Sequence, residues 1–256
     1  MKHEDLLFSS LLFSSLLFSS LLFSSLSACS SSAVGSGALD PAQQQMLDRG
    51  LEVSSVAVKT GQPVAAGRMY ERLSTSFPSA PEPKLGLAYM ALHAGDFATA
   101  DALFTEASSL TTLPALKAEA LLGAGRASLG REDLATAKTH FLAAAELATG
   151  TSVAPWVMNG LAVVAALEGD YLLAEQHYKA ALAGATHPLI TANLLRTLIE
   201  AGRLDEARQL HASHDNTYWV ASDRVELPQL LKNSDRTHPG PAGHPSKEGS
   251  RFYKGN

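Results

Sequence analysis

The sequence has 256 residues, a net charge of −5 at pH 7 and an isoelectric point near 6.0, so its charge gives no reason to expect nucleic acid as a partner. Apolar residues make up 46% of the chain but aromatic residues only 7%, and alanine and leucine, the strongest helix formers, are abundant. A single cysteine excludes an intrachain disulfide bond. This composition predicts an all-α protein.

The chain begins with a low-complexity apolar segment. Residues 6–25 are four copies of Leu-Leu-Phe-Ser-Ser, and small residues follow. Such a run is typical of a secretory signal sequence, and it is too rich in serine for a membrane-spanning helix. The first five residues depart from this pattern, because two acidic residues offset the single lysine where export signals normally carry positive charge. We predict a signal peptide over residues 1–28.

Leu26-Ser27-Ala28-Cys29 resembles the lipobox of bacterial lipoproteins. The resemblance implies that the Cys29 thiol takes up a diacylglyceryl group, that the chain is cut before it, and that the new amino group is acylated. Two or three acyl chains give stable attachment, whereas one gives only marginal binding. The alternatives are a chance cysteine in a serine-rich linker and a soluble secreted protein cut nearby.

The residue after this cysteine is Ser30 and not the aspartate that commonly retains lipoproteins in the inner membrane. By that sorting rule we expect an outer-membrane protein on the periplasmic face. We expect no cofactor besides the covalent lipid on Cys29.

The leader repeat also predicts a mode of expression. The nucleotide unit CTTCT, read three times in frame, encodes Leu-Leu-Phe-Ser-Ser, so four peptide copies correspond to twelve copies of that unit. Slippage of a polymerase by one unit shifts the reading frame. The leader resembles those of opacity-type surface proteins, which implies phase-variable expression. The alternative is ordinary drift of a low-complexity leader.

Residues 29–45 are predicted to form the lipidated cysteine and a flexible Ser/Gly-rich tether, and residues 46–215 are periodic. Four short segments each separate two apolar-periodic runs, and they contain Gly95, Gly130, Gly169 and Gly202. Glycine suits the left-handed position that ends a helix, and the aspartate that follows in two of them suits a helix cap. The pattern predicts repeated helical hairpins.

Each hairpin repeats a small-large-small pattern in its second helix. Alanines recur at spacings of 34, 37, 37 and 33, with an aromatic residue four positions later in four of the five repeats. The alanines are Ala66, Ala100, Ala137, Ala174 and Ala207. The first repeat has no turn glycine in this interpretation, and the repeat at Ala137 has two extra residues after Gly130. Small residues are needed where two helices cross closely, and Ala88, Gly123 and Ala162 supply them in the first helices.

This pattern resembles the tetratricopeptide repeat (TPR), whose unit has about 34 residues. The resemblance implies an all-α solenoid of about five hairpins that stack into one core. The pattern ends near Asn216. We expect a short helix over Asp223–Leu231 and disorder in most of residues 216–256, which are rich in proline, glycine and charge toward the end. The last residues are basic, which favours a solvated tail over one that binds anionic lipid.

The sequence contains no catalytic or metal-binding motif in a suitable context, so we do not expect an enzyme. His211 and His214 are three residues apart on a predicted helix, but no further metal ligand accompanies them. Surface histidines are the favoured interpretation.

Solenoids bind partners along their concave surface. The TPR resemblance implies a peptide groove lined by seven residues of the first helices: Tyr89, His93, Lys117, Trp156, Asn159, Val163 and Arg196. Its mostly apolar character favours an amphipathic helix or extended segment as the ligand. The alternative is that Tyr89 and Trp156 pack between hairpins.

A lipobox followed by about five TPR-like units resembles the tight-adherence (Tad/Flp) pilus assembly lipoprotein and the pilotin of type IV pili. That resemblance implies a membrane-anchored scaffold that helps a secretin or another pilus component assemble at the outer membrane. Two alternatives remain open, namely a scaffold for envelope enzymes, such as those of peptidoglycan synthesis or outer-membrane protein insertion, and a soluble secreted TPR protein.

Overall fold

The computed structural model describes residues 39–237, with side chains up to residue 234. Eleven α-helices and no strand occur in this part of the chain. The helices are α1 (Pro41–Lys59), α2 (Pro63–Ser76), α3 (Pro81–His93), α4 (Phe97–Leu110), α5 (Pro114–Gly130), α6 (Leu134–Ala148), α7 (Ala154–Leu167), α8 (Tyr171–Gly184), α9 (Pro188–Glu200), α10 (Leu204–Ala212) and α11 (Ala221–Thr237). The predicted all-α class is confirmed. These residues fall into two compact units, 39–160 and 161–237.

Tight turns join the helices into five hairpins. Gly95, Gly169 and Gly202 have φ values of 77°, 82° and 73°, as the sequence predicts for residues that end a helix. The next residue bonds back to the helix in every case, for example Asp96 N to Ala91 O at 2.9 Å. Asp96 and Asp170 cap the following helices by accepting the backbone N–H groups of Thr99 and Leu173.

The third hairpin turns two residues later than the sequence suggested. Gly130 is the last residue of α5, and Glu132 takes the left-handed conformation with a φ of 61°. Glu132 N bonds Leu129 O, and Asp133 caps α6 by accepting Thr136 N–H. Glu132 precedes Ala137 by five residues, as Gly95 precedes Ala100, which explains the two extra residues of this repeat.

The first hairpin also differs from expectation at both ends. Gly61 has a φ of 73° and precedes Ala66 by five residues, so the first repeat does contain a turn glycine. Helix α1 begins at Pro41 and not at residue 46, because Asp40 caps it and Gln43 bonds back to the Asp40 N–H. Residues 41–45 therefore belong to the helical array and not to the tether.

The alanines of the repeat are fully buried, with 0% exposure at all five positions. The aromatic residue that follows reaches the next hairpin: the ring of Phe104 lies against Gly123 of α5, and that of Tyr70 lies against Gly86 of α3. A methyl group at Gly123 or Gly86 would collide with these rings. The glycines therefore let each aromatic side chain fill the space between hairpins.

The C-terminal helix is longer than expected. Helix α11 spans Ala221–Thr237 with Pro228 inside it, so it contains the short helix expected over Asp223–Leu231 and continues through residues 232–237, where we expected disorder. Trp219 and Leu227 are buried here. Residues 238–256, for which we predict disorder, lie outside the described part of the chain.

Candidate protein-binding surface

The seven predicted groove residues lie on the first helices of their hairpins. They differ sharply in accessibility: His93 is exposed, Tyr89, Lys117 and Trp156 are half-buried, and the other three (Asn159, Val163 and Arg196) are buried. Four of the seven can therefore be reached from solvent in this conformation.

Two helices that come first in their hairpins, α5 and α9, are buried over most of their length. Every residue of α5 from Ala118 to Leu129 is buried except the half-buried Leu121, and every residue of α9 from Leu189 to Ile199 is buried. Ala120, Ala124 and Ala127 of α5 pack in one core with residues of α3 and α4 such as Leu85 and Phe104. With nearly every residue of these two stretches buried, α5 and α9 do not present the expected open apolar groove.

Tyr89 connects two hairpins of the first unit. Its hydroxyl donates a hydrogen bond to Glu119 Oε1 at 3.0 Å, and its ring meets that of Phe104 edge to face at a centroid distance of 5.0 Å. Burial raises the pKa of Tyr89 well above its usual range. Tyr89 therefore packs between hairpins, as the alternative interpretation expected, while one side of it stays accessible.

Helix α5 carries two buried charged residues that sequence reasoning missed. Burial raises the pKa of the Glu119 carboxyl to about 7, even though the Tyr89 hydroxyl stabilises its charged form. Arg126 lies two turns later on the same helix, and burial lowers the pKa of its guanidinium. The sequence did hold a signal, because these are the only charged residues of α5 after Lys117, and they stand seven apart among alanines and glycines.

His93 lies at the end of α3. Partial desolvation of its ring, together with the charge of Arg126, lowers its pKa, so this imidazole is neutral at pH 7. Because Tyr89 packs between hairpins, three of the predicted groove residues remain accessible for binding a partner, namely His93, Lys117 and Trp156. All three belong to the unit of residues 39–160.

Arg196 is not a groove residue in this structure. It is 3% exposed, and its Nη2 pairs with Asp223 Oδ1 at 2.5 Å and with Glu226 Oε2 at 2.9 Å. Both acidic residues belong to α11, and a hydrogen bond of 2.8 Å between the Thr191 and Tyr218 hydroxyls adds a second link from α9 to this part of the chain. The prediction for Arg196 was wrong because nothing in the repeat pattern indicates that α11 packs on α9.

His211 and His214, the two histidines considered as metal ligands, pack against aromatic side chains. His211 stacks on Trp219 with the rings nearly parallel and their centroids 5.5 Å apart, and His214 lies against Tyr218 at 4.1 Å. Within residues 39–237 no group of three or more His, Cys, Asp or Glu side chains is placed to hold a metal ion. No helix of this part is both long and apolar enough to cross a membrane.

The hairpins share a left-handed turn residue, an alanine five positions later, and large and small residues four and seven positions beyond that alanine in most repeats. Together these features define a TPR-type helical-hairpin protein.

Solved structures of TPR proteins match this fold over most of its length. PilW, described as a widely conserved type IV pilus biogenesis factor, is 18% identical with a TM-score of 0.67, and the match covers 81% of this chain and 90% of PilW. PilF of Pseudomonas aeruginosa is 16% identical with a TM-score of 0.60, over 78% of this chain and 95% of PilF. A thermophilic TPR protein of Thermus thermophilus is 22% identical with a TM-score of 0.56, over 73% of this chain and 98% of its own.

A scan against protein-family models and a search of the curated proteins both returned no match. At these identities the structural matches establish the TPR fold.

Proposed function

We propose that this protein is a membrane-anchored TPR scaffold that takes part in pilus assembly. The observation that carries the proposal is the structural likeness to PilW, which covers nine-tenths of that pilus biogenesis factor. A pilus component such as an outer-membrane secretin is the proposed partner, in line with the resemblance to Tad/Flp lipoproteins and pilotins.

The proposed anchor is the lipid on Cys29, which lies outside the described residues. Acyl chains would confine the scaffold to the periplasmic face of the outer membrane and raise its effective concentration near a partner in that membrane. Such confinement would let a scaffold of moderate affinity act efficiently on an assembly intermediate.

The partner-binding surface is proposed to include His93, Lys117 and Trp156. A half-buried tryptophan offers a large apolar surface with a polar edge, and such residues are frequent energetic centres of interfaces. Tyr89, Asn159, Val163 and Arg196 instead support the array from within.

Crosslinking in intact cells, followed by purification from membranes, tests this function. We expect pilus assembly proteins to be recovered with the wild type, and expect recovery to fall several-fold for Trp156→Ala. Leu142→Ala is the matched control, because Leu142 is exposed on α6 and was not predicted to line the groove. Recovery of peptidoglycan synthases in place of pilus proteins would contradict the proposal.

Cell fractionation tests the anchor independently. We expect Cys29→Ala to move the protein from the outer-membrane fraction to the soluble periplasmic fraction. Unchanged membrane association of Cys29→Ala would rule out the lipid as the anchor.

We also propose that expression is phase-variable, on the basis of the four Leu-Leu-Phe-Ser-Ser copies. Sequencing the gene from many colonies should show a uniform CTTCT tract whose length differs in steps of one unit. Mixed synonymous codons across the repeat would exclude the mechanism, because slippage needs identical units.

A further inference from the structure

The first hairpin has an apolar outer surface. Among residues 39–237, nine large apolar side chains are exposed, and four of them belong to this one hairpin. These are Met46 (62% exposed), Val53 (55%) and Val56 (53%) on α1 and Val64 (67%) at the start of α2. The other five are spread over later parts of the chain, so the clustering is specific to the first hairpin.

The exposed apolar residues of α1 lie along one face of the helix. Positions 42, 46, 49, 53 and 56 are separated by four, three, four and three residues, which places them on one face of a helix. That face, which we call the α1 stripe, carries Ala42, Met46, Val53 and Val56, with Arg49 among them. The opposite side of the helix, with Leu47, Ser54 and Ser55, is buried against the protein.

A terminal repeat of a solenoid normally presents a polar outer face, because no further repeat covers it. The α1 stripe departs from that rule, and an exposed apolar cluster of this kind marks a surface that another body covers. An arginine among exposed apolar residues suits an interfacial helix, since the long arginine side chain can extend along apolar surface to reach an anion.

The position of the stripe in the chain indicates what covers it. Pro41, the first residue of α1, follows Cys29 by twelve residues. Twelve residues span about 40 Å at most, even when fully extended. If Cys29 is lipidated, α1 is the part of the described structure held nearest to the bilayer along the chain.

We propose that α1 lies on the membrane surface, with the α1 stripe among the upper acyl chains and Arg49 at the lipid phosphates. This inference rests on the proposed anchor at Cys29. The lipid chains and the stripe would then act as two linked contacts with one membrane, and the first hairpin would be held against the bilayer.

The lipidated protein, reconstituted in phosphatidylethanolamine–phosphatidylglycerol vesicles, allows a direct test. Because Cys29 is the only cysteine and is consumed by the lipid, Val53→Cys creates a single free thiol for the environment-sensitive dye NBD. We expect a blue-shifted emission that is quenched at least twofold by lipids carrying a nitroxide near the headgroup. Leu142→Cys, at a similarly exposed position on α6, serves as the matched control and should remain unshifted and unquenched.

A double variant tests the stripe through a label at another of its positions. With NBD on Val56→Cys, we expect Met46→Asp combined with Val53→Asp to abolish the blue shift, and unchanged circular dichroism to show that the fold is intact. Quenching at position 53 equal to that at position 142 would overturn the proposal. So would a blue shift that appears only at high protein density and resists lipid quenchers, because that result would indicate a second copy as the occupant.

These outcomes are separable from those for the proposed function. Loss of lipid contact with normal recovery of pilus proteins would overturn only the membrane orientation. Normal lipid contact without any pilus protein would overturn only the assembly role, and an unmodified Cys29 would remove the anchor together with the proposal that depends on it.

Discussion

Glu132 is the one non-glycine residue in a left-handed conformation among residues 39–237. That conformation costs a residue with a Cβ atom roughly 1 kcal/mol relative to glycine. Glu132 is exposed, so replacing it removes little packing. We therefore expect Glu132→Gly to raise the free energy of unfolding by about 1 kcal/mol, measured by urea denaturation.

The equivalent turn at Gly169 provides the control. Its φ of 82° and the open space around it mean that Gly169→Ala adds strain without a clash. We expect Gly169→Ala to lower the free energy of unfolding by about 1 kcal/mol. Equal effects of the same sign for the two variants would contradict the assigned turn at Glu132.

Gly123 illustrates a different use of glycine, because here the constraint is space. A Cβ atom at this position would overlap the Phe104 ring, which is itself fully buried. We expect Gly123→Ala to destabilise the protein by about 2 kcal/mol, and Phe104→Leu to recover part of that loss when the two are combined. Thermal unfolding of the two single variants and the double variant gives the coupling energy.

Gly67 is the matched control for Gly123. It also lies in a helix, but its nearest neighbour would be the flexible end of Met90 at 3.2 Å. Since alanine favours the helix, Gly67→Ala should leave stability unchanged or raise it by up to about 1 kcal/mol. A large loss at Gly67 would mean that backbone effects, and not the Phe104 contact, explain the result at Gly123.

At the scale of the element, buried Arg196 links α9 to α11 by pairing with Asp223 and Glu226. Arg196→Met leaves Asp223, which is 1% exposed, without its cationic partner. Removing one partner of a buried pair typically costs about 3–5 kcal/mol. We expect the α11 amides to exchange hydrogen much faster in Arg196→Met, and the double variant Arg196→Met, Asp223→Leu to regain most of the protection.

Arg208 supplies the comparison on a neighbouring helix. It pairs with Asp205, whose side chain is 99% exposed, so the pair is screened by water. Arg208→Met should leave exchange in α11 unchanged. Exchange in Arg196→Met that is as slow as in the wild type and in Arg208→Met would show that the Arg196 ion pairs do not hold α11 in place.

The sequence predicts the hairpins well because their rules are local. A turn glycine, a small residue at fixed distance and an aromatic residue four positions later all act within one hairpin, so spacing suffices to find them. The turn at Glu132 was missed because a conformation normally taken by glycine is imposed there on another residue. The turn at Gly61 was also missed, although its glycine stands five residues before Ala66 as in the later repeats.

The candidate surface was less predictable, because it depends on contacts between elements far apart in the chain. Arg196 sits at a groove position by repeat phase, but its pairing with α11 is visible only in three dimensions. Asn159 and Val163 follow the same phase and are buried. Phase predicts which helix face a residue occupies and does not predict whether that face is open.

For the molecule as a whole, buried carboxyl groups should govern the dependence of stability on pH. The pKa of Glu119 is raised by burial from its usual 4.5 to about 7, so folding takes up a proton between these values. The contribution of Glu119 to the free energy of unfolding is fully present below pH 4.5 and is lost as the pH rises through 7. At 1.36 kcal/mol per pKa unit the loss is about 3 kcal/mol.

Glu119→Gln fixes the neutral form. We therefore expect this variant to be more stable than the wild type at pH 8 and to show a smaller decrease in unfolding free energy as pH rises from 4.5 through 7. Some decrease should remain, because burial also raises the pKa of Glu200 to about 7.

Glu175→Gln is the control with the opposite sign. Hydrogen bonds from Arg203 and Lys179 lower the pKa of Glu175 to about 2, so its contribution is present above pH 4.5 and is lost as pH falls toward 2. Glu175→Gln should therefore be less stable than the wild type at neutral pH, and the two should be about equally stable near pH 2. Identical pH profiles for Glu119→Gln and the wild type would contradict the assigned burial of Glu119.

The helices of each unit pack mainly against those next or next but one along the chain, as Phe104 of α4 does against Gly123 of α5. Chains with such short sequence separations fold in microseconds to milliseconds, because little loop entropy is lost before each contact forms. A repeat array can also begin to fold at any hairpin. A chain that is released gradually from its N-terminus would therefore gain structure hairpin by hairpin, before its C-terminal helix is released, and would need little help from chaperones.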